Sequence, residues 1–232
     1  MGLVKSRAVL LLGAIAAILI AISVAIAPHT AYAADAFTDD NVDYEIIGTN
    51  PNQVKAIAIA AGHNSASIPS TATDPQNLGV QYDVVAIEIT SNDDLQRLTA
   101  KNNDKLESAS ITNCSILDTI EVTGNAKLST LELKGCSELL HVYCSDNQLN
   151  TLVLEDCTKL WILNCNKNAL TSLDVSSFTE LGGLDCGNNK ISSLDLSLNS
   201  ALERVECFNN ELVELDISML TESPRLYRRL QV

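Results

Sequence analysis

Broken at every 21 residues, residues 139–218 read LLHVYCSDNQLNTLVLEDCTK, LWILNCNKNALTSLDVSSFTE, LGGLDCGNNKISSLDLSLNSA and LERVECFNNELVELDIS. Cys144, Cys165, Cys186 and Cys207 fall in one column, and Asn147, Asn168, Asn189 and Asn210 in a second. Leu139, Leu160, Leu181 and Leu202 make a third. The shared phrase is L-x-x-(L/V)-x-C-x-x-N-x-(L/I)-x-x-L-x-(L/V/I), followed by a loose turn. A strict period with apolar residues at fixed offsets is the signature of a solenoid. Each unit is one short strand and a return segment that cannot bury its own apolar edge, so neighbours must stack.

Working outward, the period lengthens to 22: Leu117, Ile120, Val122 and Asn125 align with Leu95, Leu98, Ala100 and Asn103. The second halves match as well, Leu128, Leu131, Leu133 and Cys136 against Leu106, Ala109, Ile111 and Cys114. Val84, Ile87 and Ile89 supply a half unit before them. The expectation is a leucine-rich-repeat solenoid over residues 84–220, about six units with parallel β-strands on the concave face and irregular or short-strand return segments. At ~4.8 Å per stacked strand, such an array is on the order of 30 Å long. A further unit would put Leu at 223 and Cys at 228, but Ser223 and Arg228 stand there. Residues 221–232 are therefore expected as an irregular tail, either an improvised cap or the stub of a longer array.

Before the repeats, residues 34–83 follow a period of two, with strands expected at 42–47, 54–60 and 80–85. The turn-forming runs Gly48-Thr49-Asn50-Pro51 and Asp74-Pro75-Gln76-Asn77 separate them. A repeat array needs its first apolar edge covered, and this segment reads as a β-rich N-terminal cap. Residues 1–33 read as a signal peptide: Lys5 and Arg7, an uncharged apolar run over 8–27, then Ala31-Tyr32-Ala33. The run is also long enough to span a bilayer, which leaves an uncleaved anchor as the alternative. Cleavage after Ala33 removes 2 of the 15 basic residues, leaving 13 against 29 acidic ones, a net charge of −16. The product is expected outside the cell, secreted or at the cell surface, with no membrane contact after cleavage. Its scattered basic residues form no stripe that would release counterions from a phosphate backbone, which excludes nucleic acid as a partner.

The seven cysteines divide into two ladders: Cys144, Cys165, Cys186 and Cys207 on the strand side, and Cys114, Cys136 and Cys157 on the return side. Parallel side chains ~4.8 Å apart suit van der Waals stacking better than a disulfide, which needs Cβ atoms about 3.8 Å apart. Buried free thiols acting as small hydrophobes are expected. No CxxC or CxxH pair occurs and a one-dimensional ladder offers no tetrahedral site, so neither metal nor cofactor is expected. The asparagines tolerate a bent backbone and carry amides able to bond the next turn, so their column reads as a hydrogen-bonded ladder. Asp174, Asp195 and Asp216 stand in a column beside Ser176, Ser197 and Ser218. Without the turn motifs of calcium-binding repeats, that column reads as a solvated edge.

Residues 181–197, Leu-Gly-Gly-Leu-Asp-Cys-Gly-Asn-Asn-Lys-Ile-Ser-Ser-Leu-Asp-Leu-Ser, resemble the 21-residue cysteine-bearing repeats of internalin J-like proteins. The runs Ile68-Pro69-Ser70-Thr71 and Tyr82-Asp83-Val84-Val85-Ala86-Ile87 resemble the repeat-edge phrase of bacterial BspA-like surface proteins. The resemblance implies a bacterial secreted or surface protein that binds macromolecules and assists attachment.

In such an array the third and fifth template positions face the concave side, flanked by the second and seventh. The surplus apolar and aromatic residues there are Leu140, Tyr143, Trp161, Ile162 and Phe208. His141, Asn164, Asp185, Arg204 and Glu206 complete a mixed aromatic and acidic candidate patch for a protein or glycan ligand. Trp and Tyr are enriched at binding hot spots. No G-x-S-x-G, P-loop or H-E-x-x-H occurs. Cys144 points inward and His141 outward, which denies a Cys nucleophile its base. The expected function is recognition rather than catalysis. The alternative is a non-binding structural or truncated remnant of a larger cell-wall protein.

Overall fold

The computed structural model describes residues 36–49, 52–75, 80–216, 218 and 227–229. The expected signal peptide, and all of 221–232 except 227–229, lie outside the described residues.

Six strands precede the full repeats: β1 (Ala36–Asp39), β2 (Val42–Thr49), β3 (Asn52–Ile59), β4 (Ser65–Ser67), β5 (Thr71–Thr73) and β6 (Gln81–Thr90). From there the chain alternates between two sheets as far as β12 and continues in the first sheet alone. The first sheet takes β7 (Arg97–Thr99), β9 (Thr119–Glu121), β11 (His141–Tyr143), β13 (Ile162–Asn164), β14 (Gly183–Asp185), β15 (Arg204–Glu206) and β16 (Tyr227–Arg229). The second takes β8 (Ser108–Thr112), β10 (Thr130–Lys134) and β12 (Thr151–Glu155). Every pairing among these repeat strands is parallel and in register, Val142 against Ile120 and Leu163, Leu131 against Ala109 and Leu152. The chain is a parallel β-solenoid of the leucine-rich-repeat type, as the period requires.

Short strands suffice because each supplies one inward residue and shares the core with its neighbours. The columns Leu98, Ile120, Val142, Leu163, Leu184, Val205 and Leu95, Leu117, Leu139, Leu160, Leu181, Leu202 are buried throughout. Two bends per rung return the chain, and a left-handed residue stands at the bends after the first sheet and at those after the second sheet up to β12. Asn102, Gly124, Asp146, Lys167, Asn188 and Asn209 have φ between 53° and 70° after the first sheet. Ser91, Asn113, Gly135 and Asp156 do the same after the second, between 55° and 64°. At Gly135 a Cβ would come within 2.6 Å of Asn113 Oδ1, so glycine answers both a positive φ and a close approach there.

The asparagine column forms the ladder its spacing implies. Asn168 Nδ2 donates to the carbonyls of Cys144 and Cys165 at 2.9 Å each, and Asn189 Nδ2 to those of Cys165 and Cys186 at 3.0 and 3.1 Å. The acceptor side changes partway. Asn125 and Asn147 Oδ1 take the amides of Asn103 and Asn125, whereas Asn168, Asn189 and Asn210 Oδ1 take those of Leu149, Leu170 and Ile191.

All seven cysteines are buried free thiols. The return-side ladder donates to main-chain carbonyls, Cys136 to Lys134 at 3.6 Å and Cys157 to Glu155 at 3.4 Å. Asparagines continue this column at both ends: Asn92 accepts the Leu95 amide, and buried Asn199 donates to the carbonyls of Val175 and Phe178.

At the start of the array the second sheet continues as β12-β10-β8-β6-β3-β2-β1, with β3 parallel to β6 and antiparallel to β2. The strands expected at 42–47, 54–60 and 80–85 correspond to β2, β3 and β6; β1, β4 and β5 carry too little periodicity to be read. The first sheet already begins at β4, which pairs with β7. At the other end β16 pairs in parallel with β15, Tyr227 opposite Arg204. That offset is 23 residues rather than 21, and it sets Arg228 opposite Val205, so the apolar columns are not continued in the sequence in either frame.

Candidate recognition face

The ten residues singled out from sequence lie on or beside four adjacent strands, β11, β13, β14 and β15. Pairing sets His141 beside Ile162, Ile162 beside Gly183, and Gly183 beside Arg204. A parallel row runs Tyr143, Asn164, Asp185, Glu206. Because side chains alternate along a strand, these two rows share the face opposite the buried Val142, Leu163, Leu184 and Val205. Leu140 and Trp161 precede β11 and β13 and are 37% and 40% exposed. Phe208 follows β15 and is half-buried.

The rings are positioned from below by glycine. A Cβ on Gly182 would overlap the six-membered ring of Trp161, one on Gly183 would lie 2.8 Å from Ile162 Cδ1, and one on Gly187 3.0 Å from Phe208. Trp161 therefore leans forward one rung and Phe208 leans back one rung, both onto the unit that carries β14. Gly182 and Gly187 flank that strand, with Asp185 between the two rings. Two rungs earlier, His141 and Tyr143 stack with centroids 6.3 Å apart and planes within 6°.

The charges are less free than their residue types suggest. Arg204 binds Glu206 Oε1 through Nε at 3.1 Å and Nη2 at 2.7 Å, and this carboxylate holds the guanidinium pKa up. Asp185 accepts from Asn166 Nδ2 at 3.1 Å and from the Gly187 amide at 3.2 Å. Glu121 pairs with Lys101 at 2.6 Å. Of the two carboxylates in the expected patch, Glu206 is thus paired with a cation while Asp185 is held only by neutral donors, leaving an aromatic and hydrogen-bonding surface around one unpaired carboxylate.

Sequence reasoning missed Asn166, Gly182, Gly183 and Gly187. The glycines interrupt a template in which other units carry side chains, as in Leu140-His141 and Trp161-Ile162, and that contrast is the signal that could have found them. Among the described residues, no cluster of three or more His, Cys, Asp and Glu is arranged to hold a metal ion, and no helix is long and apolar enough to cross a membrane.

No protein-family model matches the sequence, and no curated protein matches it either. Among solved structures, the chain is similar to the functional domain of InlJ from Listeria monocytogenes, described as including a cysteine ladder. Identity is 24% and the TM-score 0.48, over 67% of this chain and 37% of that one. It is also similar to a leucine rich cell surface protein from Faecalibacterium prausnitzii, at 13% identity and a TM-score of 0.41 over 77% of this chain and 55% of that one. A leucine-rich repeat protein from Bacteroides capillosus matches at 14% identity and a TM-score of 0.33, over 75% of this chain and 98% of that one. The chain spans little more than a third of the first of these structures and about half of the second.

Proposed function

We propose that the protein is an exported bacterial recognition module that binds a protein or glycan across β11, β13, β14 and β15. In this reading residues 1–33 are removed on export, 34–83 close the first edge of the repeats over 84–220, and 221–232 follow as an irregular tail or the stub of a longer array. The mature chain acts outside the cell or at its surface and performs no catalysis.

One observation carries the reading: Trp161 and Phe208, from different rungs, are both seated over the glycine-bearing rung between them. A partly exposed ring already held by packing loses little side-chain entropy on binding, which suits a hot spot. Tyr143 and His141 extend the same surface, and Asp185, Asn164 and Arg204 provide orienting hydrogen-bond groups.

The test is a glycan array and a surface-protein pull-down, run with the protein beside a Trp161→Ala/Tyr143→Ala double variant. A true ligand should lose at least about thirtyfold in affinity, the equivalent of a 2 kcal/mol hot spot. Melting of the variant should stay close to that of the parent. A ligand whose affinity is unchanged by the double substitution would remove this face from consideration. Finding no ligand by either route would favour the alternative of a purely structural chain.

A further inference from the structure

The second sheet stops in the middle of the solenoid. β8, β10 and β12 pair over five residues each, but among the described residues β12 is the last strand in that sheet although β13, β14, β15 and β16 follow in the first. In a parallel ladder alternate residues address opposite neighbours. The Asn113 amide bonds Lys134 and the Gly135 amide bonds Glu155, which sets the phase. Val153 and Glu155 therefore face β10, while the N–H and C=O of Leu152 and Leu154 face the open side. The equivalents of these two residues are Ala109 and Ile111 in β8 and Leu131 and Leu133 in β10, all fully buried. Leu152 and Leu154 are only half-buried. A cleft of about 400 Å³ opens between them and the return segment of the next rung, lined by Leu152, Leu154, Glu155 and Asp156 on one side and Leu173, Asp174 and Phe178 on the other.

We propose that this edge is a second binding site, for an extended peptide that adds to β12 as the next strand. An exposed strand edge is a template for such pairing. The cleft floor asks for apolar side chains at alternate positions of the peptide. The carboxylates of Asp156 and Asp174, with Glu155 beside them 3.9 Å from Lys134, on a chain of net charge −14, ask for Lys or Arg at the positions between. The site is separate from the aromatic face of the first sheet, so each can fail without the other.

The experiment uses synthetic heptapeptides of alternating Lys and Val, with alternating Glu and Val as control, titrated against the whole protein by fluorescence anisotropy. Two further Lys-Val peptides are N-methylated on the residues of one edge only, either all Val or all Lys. Saturable binding of the Lys-Val peptide is expected, at least about tenfold tighter than the Glu-Val control and weakened severalfold by raising salt from about 0.05 to 0.5 M. One of the two N-methylated peptides should lose at least about tenfold and the other much less, because only one edge of the peptide faces β12. Amide exchange at Leu152 and Leu154 should be fast in the free protein and slow with peptide bound, with Val153 unchanged. Equal effects of both N-methylation patterns would mean charge adsorption and overturn the proposal. So would failure to bind at about 1 mM peptide, or peptide binding that leaves the Leu152 and Leu154 amides unprotected. A Glu155→Gln/Asp156→Asn variant should bind the Lys-Val peptide several times more weakly while melting as the parent does.

Discussion

One asparagine amide closes three main-chain groups on neighbouring rungs. Asn189 gives its two N–H bonds to the Cys165 and Cys186 carbonyls and takes the Leu170 amide, all inside the stack. Asn189→Ala should leave those groups unpaired at a cost of about 2–4 kcal/mol, read as a lower midpoint in urea. Asn189→Leu restores volume without partners and should not rescue it. The cysteines sort by what their sulfurs touch. Cys157 has carbonyl acceptors from Leu133 and Glu155, so Cys157→Ser keeps a donor where one is used and should be nearly neutral. Cys165 lies in the apolar strand-side ladder, where Cys165→Ser buries a hydroxyl and should cost about 2 kcal/mol. Burial pushes the Cys144 thiol up to about 12 and raises Cys165 and Cys186 as well. An unfolded thiol ionises near about 8.5, so above that pH the unfolded chain releases protons that the folded chain keeps. Melting temperature should be level from about pH 6 to 8 and fall as pH rises toward about 12. Both columns were legible in the sequence because period and residue type together fix where a repeated side chain must sit. The seats at Gly182, Gly183 and Gly187 were not, since they depend on the direction in which a ring from another rung leans.

At the scale of an element, the return segments come in two kinds built from one apolar pattern. Leu131-Glu132-Leu133 and Leu152-Val153-Leu154 are strands, yet Leu173-Asp174-Val175, with the same alternation, is not. The difference lies in the aspartate. Asp174, Asp195 and Asp216 each accept the amide of the serine two residues on, at 2.9, 2.8 and 2.8 Å, and hydrogen bonds from that serine hold their carboxyls below the usual range, the hydroxyl leading at Asp174 and the amide at Asp195 and Asp216. A short side chain that captures its own backbone competes with the sheet ladder. At that position β8, β10 and β12 carry Ser110, Glu132 and Val153. An Asp174→Val/Ser176→Thr variant should therefore extend the second sheet by one rung. Hydrogen exchange at the Leu152 and Leu154 amides would slow without any peptide, and binding of the Lys-Val peptide would be lost. Amides that stay fast in this variant would assign the end of the sheet to something other than the turn. The sequence alone reads the aspartates as a solvated edge, because their spacing says where they sit but not which amide they take.

Across the whole stack the same difference sets where the molecule is firm. From β6 to β12 every rung is paired on both sides, and a hairpin of β2 and β3 extends the second sheet at its start. From β13 onward only the first sheet continues, and the stack is held by that sheet, the apolar columns and the asparagine ladder. Near its far end the buried Asn199 Oδ1 has no hydrogen-bond partner among the described residues. In a repeat array stability is close to a sum of rung and interface terms, so fewer pairings per rung should appear as easier local opening. The repeat number and direction of stacking follow from a 21-residue count, but this gradient does not, because a period treats every rung as equivalent. Hydrogen exchange followed by mass spectrometry tests it. Amides of β9 and β11 should be the most protected, with protection falling through β13 and β14 and exchange at β15 at least about tenfold faster than at β9. Equal protection from β9 to β15 would mean that the stack opens as one cooperative unit, with the first sheet and the asparagine ladder alone setting its strength.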